Sequence, residues 1–259
     1  MGEAKRRLKS FLERHPHCCF CGGKVAATTE DHQPGRVFFR DRQWPEDFSF
    51  PACEPCNAAS REAENLVSII VADSSSPDSR AKYQGRIKSV GHNYPEVIPS
   101  LLDISTNDKR RALRNMHLNL PPGVAYADVP MVKIDPVLWS EHFNKVGQKI
   151  MLALHYQTFG APLPSSGKVW LATLTNGENL GQEWFQFVRD NTGRFVNPTR
   201  SRKSLLDQFT LQWDAMEDPK VGMYLVTLQK RIVFVGLTTE QPDRHALPDI
   251  GILVGPLTH

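Results

Sequence analysis

Cys18-Cys-Phe-Cys21-Gly-Gly23, then Asp31-His32-Gln-Pro34, then Cys53-Glu-Pro-Cys56-Asn57: these three short stretches decide how the chain reads. Two Cys-x-x-Cys pairs with equal internal spacing flank an Asp-His dipeptide. Four soft thiolates gathered tetrahedrally suit a structural zinc ion, and the two-residue gap lets each pair turn around the metal. Gly22 and Gly23 supply the backbone freedom such a knuckle needs. Cys53-Glu-Pro-Cys56 taken alone hints at a thioredoxin-like redox site, but the second pair and the missing βαβ pattern argue against it. Two disulfides do not suit a reduced compartment, and unrelated core cysteines rarely fall into two such pairs. Zinc on Cys18, Cys21, Cys53 and Cys56 is therefore the expectation. Cys19 is left over, and His15 and His17 are substitute ligands that do not continue the paired spacing.

Working outward, residues 25–29 read as a strand leaving the knuckle, with Asp31 and His32 at its end and Pro34 turning the chain away. Cys56-Asn57 opens a helix over residues 58–70, whose Ala59, Ala63, Leu66, Val67 and Ile70 form an apolar face. Zinc bonds at Cys53 and Cys56 would tie the start of that helix to the strand, so that Asp31, His32 and Asn57 converge. Such a trio suits phosphodiester hydrolysis. A hard cation such as Mg2+ favours the Asp31 carboxylate and the Asn57 amide oxygen, and neutral His32 can take a proton from attacking water. The bland readings are that Asp31 caps a turn, His32 buttresses the knuckle and Asn57 caps the following helix.

Cys-x-x-Cys, then Asp-His, then Cys-x-x-Cys-Asn resembles the four-cysteine branch of the HNH nucleases, the ββα-metal fold, over about residues 15–72. The resemblance implies His32 as general base, Asp31 and Asn57 as ligands of a catalytic Mg2+ or Mn2+, and the four cysteines as zinc ligands. It also implies DNA as substrate, with 5′-phosphate and 3′-hydroxyl ends. One module would nick one strand, so a double-strand cut would call for a homodimer or two events. Many relatives carry a further His, Asn or Lys beyond the Asn, where this chain has Ser60 and Arg61; Arg61 is a candidate phosphate contact instead. The insert over residues 35–48, with Arg36, Arg40, Arg42 and Trp44, departs from the compact family pattern. Its arginines suit a DNA-contacting loop and a solvated loop equally.

The rest of the chain sets the frame. Its 259 residues allow one large domain or two modest ones. At 40% hydrophobic and 23% charged it is an ordinary globular composition rather than a disordered or fibrous one. No apolar run reaches the length of a membrane span, and five cysteines are too few for a disulfide scaffold. A net charge of +3 permits an anionic partner without demanding one. The first fourteen residues read as a short amphipathic helix (Ala4, Leu8, Phe11, Leu12), without the apolar core of a secretory signal and with Arg6 where a myristoylation signal wants Ser or Thr. A cytoplasmic location is expected.

The fold class expected is α+β, in three parts: a zinc-stapled ββα-metal module over 1–72, a helical linker over 73–134 and a helix on an antiparallel sheet over 135–259. The boundary is read from Asp73-Ser-Ser-Ser-Pro77, and Gly91, Pro95, Pro99 and Pro121-Pro122-Gly123 punctuate the linker. Asp135-Pro136 starts a helix that stops at Gly160, with Leu138, Val146, Ile150 and Leu154 on one face. Residues 169–174, 184–188, 209–213, 223–228 and 232–237 read as strands, the last two joined by Gln229-Lys230-Arg231. Trp139, Trp170, Trp184 and Trp213 read as core, and His92, His117, His142, His155 and His245 as ordinary. Further basic clusters are Lys5, Arg6, Arg7 and Lys9; Lys109, Arg110, Arg111 and Arg114; and Arg194, Arg200, Arg202 and Lys203. Each alone reads as solvated surface. Two other functions stay open: a non-catalytic zinc-dependent nucleic-acid-binding or regulatory protein, and a C-terminal part that senses a ligand and licenses cleavage.

Overall fold

A computed structural model describes residues 2–71, 77–95, 104–115, 120, 122–128, 136–175, 190, 192–244 and 251–258. The strand expected over 184–188, residues 73–76 of the boundary, the side chain of Leu138, and Pro99, Pro121, Asp135, Trp184, His117 and His245 lie outside the described residues.

The fold is α+β. The N-terminal helix α1, Glu3–Arg14, is followed by a two-stranded antiparallel pair of β1 (Thr29–His32) and β2 (Ser49–Ala52). Next come α2 (Glu54–Ala59) and α3 (Arg61–Val71), then α4 (Pro77–Asn93) and α5 (Thr106–Asn115). α4 runs through Gly91, which therefore does not break it. The long helix α6, Pro136–Phe159, ends at Gly160 in the left-handed region (φ 67°), with the Gly160 N–H donating to Tyr156 O.

The remaining chain is sheet: β3 (Lys168–Thr175), β4 (Arg194–Val196), β5 (Thr199–Arg200), β6 (Lys203–Ser204), β7 (Phe209–Glu217), β8 (Lys220–Leu228), β9 (Ile232–Thr239) and β10 (Ile252–Val254). Six of these form one antiparallel sheet in the order β10-β3-β9-β8-β7-β4, while β5 and β6 make a separate small hairpin. The β8–β9 connection turns on Gln229 and Lys230 at positive φ, with the Arg231 N–H donating to Leu228 O, as a tight hairpin requires.

One face of the sheet receives α6. The helix lies close because Gly147 and Gly236 occupy the contact: a Cβ on Gly147 would meet Leu171 and Phe234 at 2.7–2.9 Å, and one on Gly236 would run into Met151. The other side of α6 receives α3. A single buried apolar cluster therefore runs from Phe20, Phe50, Leu66 and Val67 through Val146 and Ile150 to Leu171 and Phe234. Trp139 and Trp170 lie in core as expected, whereas Trp213 is half-buried with the Arg194 guanidinium 4.6 Å over its ring. No helix among the described residues is long and apolar enough to cross a membrane.

Two expectations near the N-terminus shift. The strand occupies Thr29–His32 rather than 25–29, because residues 25–27 are already spent on the knuckle. Cys18 N–H donates to Val25 O, Ala27 N–H to Pro16 O, and His17 bridges Ala26. The helix starts earlier than residue 58: Cys53 is the residue before its first turn, Pro55 sits inside that turn, and a break at Ser60 separates α2 from α3. Ala63, Leu66 and Val67 are buried, Ile70 is half-buried, and Ala59 is exposed.

Candidate functional site

The knuckle brings Cys18, Cys21, Cys53 and Cys56 together, all buried, with their four sulfurs within 4.8 Å of one another. A tetrahedron of zinc–sulfur bonds of about 2.3 Å has edges of about 3.8 Å, so the cluster can hold a metal ion such as zinc. Gly22 and Gly23 take φ of 72° and 71°, the left-handed turn that brings Cys21 back beside Cys18. None of the five cysteines is in a disulfide. Crowding already divides the four: a hydrogen bond from Cys56 brings the Cys18 thiol down to about 4, while burial and the neighbouring Cys18 push Cys21 up to about 11. A bound cation would relieve that competition by taking all four as thiolates. Cys19 faces elsewhere, buried near Asp31 and Lys149, and burial pushes its thiol well up.

Holding Cys53 and Cys56 at the start of α2 sets Asn57 opposite β1, where its Nδ2 donates to Thr29 Oγ1 at 3.2 Å. Asp31, His32 and Asn57 consequently line one open cavity of about 460 Å3, together with Arg36, Arg42 and Arg61. Arg40 does not line it; its guanidinium pairs with Asp207, and its backbone N–H donates to Gln208 Oε1. The insert is thus pinned to the sheet side of the molecule, and Gln229 Nε2, donating to Phe38 O at 2.9 Å, adds to that hold.

His32 is buried, with Ser49 Oγ 2.9 Å from Nδ1 and the Arg36 guanidinium against Nε2. A guanidinium only donates, so Nε2 carries the lone pair and Nδ1 carries the proton, which goes to Ser49. Burial first, then the Arg36 charge, bring the imidazole down to about 4, so it is neutral at physiological pH. Its ring packs on Trp44 at 4.6 Å, and Trp44 also takes the Arg36 and Arg200 guanidinium groups at 3.7 and 4.1 Å. Arg36 itself is pushed below its ordinary value by burial and by Arg42, Arg200 and Arg7, with Glu30 opposing. The cavity wall thus carries Arg36, Arg42 and Arg61 beside the carboxyl groups of Glu30, Asp31 and Glu64, and Arg200 on the β5–β6 hairpin reaches the neighbouring Trp44 from far along the chain.

Asp31 holds the other side. Its Oδ1 accepts the His32 N–H at 2.8 Å, and its Oδ2 lies 2.7 Å from the Nζ of Lys149, which is 1% exposed. Lys149 also donates to Ser60 Oγ at 2.9 Å and to Asn57 O at 3.3 Å. The Ser60 hydroxyl in turn donates to Glu64 Oε1 at 2.6 Å, and Gln33 Nε2 donates to both Glu64 and Asp31. Burial pushes the Glu64 carboxyl up, against the pull of Lys149.

Lys149, Ser49, Gln33 and Glu64 were not singled out from the sequence. Lys149 had a signal: it falls three residues after Val146 and four before Ala153, a charge inside the apolar stripe of α6. In the other basic clusters, Lys109 donates to Ala127 O, Arg110 stacks over Tyr126, Arg7 pairs with Glu30 and Arg194 lies over Trp213, while Arg200 is the member that reaches Trp44. Compared with protein-family models, curated proteins and solved structures, the chain matches none.

Proposed function

We propose that this chain is a metal-dependent endonuclease of the HNH type that hydrolyses DNA phosphodiester bonds, with residues 1–72 as its zinc-stapled ββα-metal module. The observation that carries the reading is the convergence of Asp31, His32 and Asn57 on one arginine-rimmed cavity, although Asn57 lies beyond the second cysteine pair. His32 is the general base: neutral, with its tautomer set by Ser49 and Arg36 so that the available lone pair is on Nε2. Arg36, Arg42 and Arg61 meet the backbone phosphates, and the entry of a phosphate gives Arg36 an anion to prefer over the imidazole. The carboxylate of Asp31 and the amide oxygen of Asn57 are the hard donors that would hold Mg2+ or Mn2+. Such an ion, when bound, stabilises negative charge on the phosphate and on the departing ribose oxygen.

A second reading, a zinc-dependent nucleic-acid-binding protein without catalysis, is favoured by one observation. Arg36 covers the base nitrogen, and Lys149 already neutralises Asp31. Incubation of the purified protein with supercoiled plasmid and Mg2+ or Mn2+, with His32→Ala alongside, separates the two. The nuclease reading expects nicking by the parent and a loss of at least about a hundredfold in the variant, with about one zinc per chain in both. Nicking that survives His32→Ala, or no nicking by the parent with either ion, overturns it.

A further inference from the structure

The cation that the structure itself supplies to Asp31 comes from the distant helix α6. Lys149 Nζ has three acceptors, Asp31 Oδ2, Ser60 Oγ and Asn57 O, which matches the three protons of an ammonium ion. Its head also sits 5.2 Å over the Phe20 ring, and its neighbours on α6, Val146, Ile150 and Ala153, are all buried. The charge is therefore fixed in place behind the carboxylate rather than tethered at the end of a mobile chain. Lys149 does not line the cavity; it stands behind the carboxylate that does.

We propose that Lys149 is a positioning residue that sets how weakly this site holds a divalent cation; the proposal rests on the reading of Asp31 as a cation ligand. Lys149 orients the carboxylate through Oδ2. A divalent ion bonded to that same oxygen at about 2.1 Å would lie less than about 5 Å from the ammonium nitrogen. At that separation the repulsion between an ammonium and a doubly charged ion, even at an effective dielectric of about 20, is enough to weaken binding by well over tenfold. The same contact makes the affinity depend on where α6 sits, so the helix that packs on the C-terminal sheet tunes the N-terminal site.

The test is Mn2+ binding to the zinc-loaded full-length protein, followed by the electron paramagnetic resonance of free Mn2+, for the parent, Lys149→Met and Lys149→Gln. Both variants remove the charge; Gln keeps a hydrogen-bond donor there and serves if Met does not fold, as judged by thermal melting and zinc content. The expected result is Mn2+ bound at least tenfold more tightly by a folded variant than by the parent, and binding abolished by Asp31→Asn. A lysine with a merely structural role would leave the affinity unchanged or weaken it on removal, and either result overturns the proposal. If neither the parent nor any variant binds Mn2+, the reading of Asp31 as a cation ligand falls instead, and this proposal falls with it.

Discussion

His32 owes its protonation state to two neighbours of opposite kind. Ser49, directly across the β1–β2 pair, accepts from Nδ1, and Arg36, four residues on, donates to Nε2. Burial, to which Arg36 contributes, and then the Arg36 charge both disfavour the imidazolium. Arg36→Ala is therefore expected to raise the His32 pKa from about 4 toward its ordinary 6.5, which NMR titration of the ring Cε1–H would read directly. An unmoved titration would mean that burial by Trp44 and the β1–β2 pair suffices. Sequence spacing alone made His32, Asp31 and Asn57 legible as a set, because a metal knuckle between two cysteine pairs has few ways to close. Ser49 was not legible. A serine at the start of a strand carries no mark of the ring it will face, and that depends on the antiparallel register pairing His32 with Ser49.

Among the elements, α6 carries the most consequence, since it touches the sheet on one side and α3 with the candidate site on the other. Its close approach depends on Gly147, two residues before Lys149. Gly147→Ala gains about 1 kcal/mol of helix propensity but forces a Cβ to within 2.7–2.9 Å of Leu171 and Phe234. Overpacking of that kind costs about 1–3 kcal/mol. The net expectation is a loss of about 1 kcal/mol in urea unfolding, together with a change in Mn2+ affinity as Lys149 moves against Asp31. The end of α6 and the turn-side ends of the hairpin strands followed from Gly160 and the turn residues, while the strands' outer ends run on to Lys220 and Thr239, beyond the expected 223 and 237. The first strand and helix moved for a reason periodicity does not encode. The knuckle consumes the hydrogen bonds of residues 25–27, and Cys53 with Pro55 begins the helix before its apolar face begins.

At the scale of the whole molecule, an acid-sensitive point in the shared core lies far from the cysteines. His155 on α6 is fully buried, its Nδ1 paired with Thr238 Oγ1 at 2.9 Å, and burial, then Lys220, bring it down to about 4. The unfolded chain takes up a proton near pH 6.5 that the folded chain refuses until about pH 4. Stability from this group is thus full above pH 6.5 and lost as the pH falls through that window, by on the order of 3 kcal/mol. His155→Leu should melt with a visibly smaller drop between pH 6.5 and 4; an unchanged drop would place the acid sensitivity elsewhere. What the chain's own order determined is local. Cysteine spacing, an Asp-His step, caps and alternation each act over a few residues, where backbone geometry leaves little choice. Folding alone decided which distant side chains meet: Lys149 reaches Asp31, and Arg200 reaches Trp44, only because one apolar core packs α6 and the sheet against the cysteine knuckle. A buried ion pair has no sequence period, since its partners are matched by burial and charge rather than by separation along the chain.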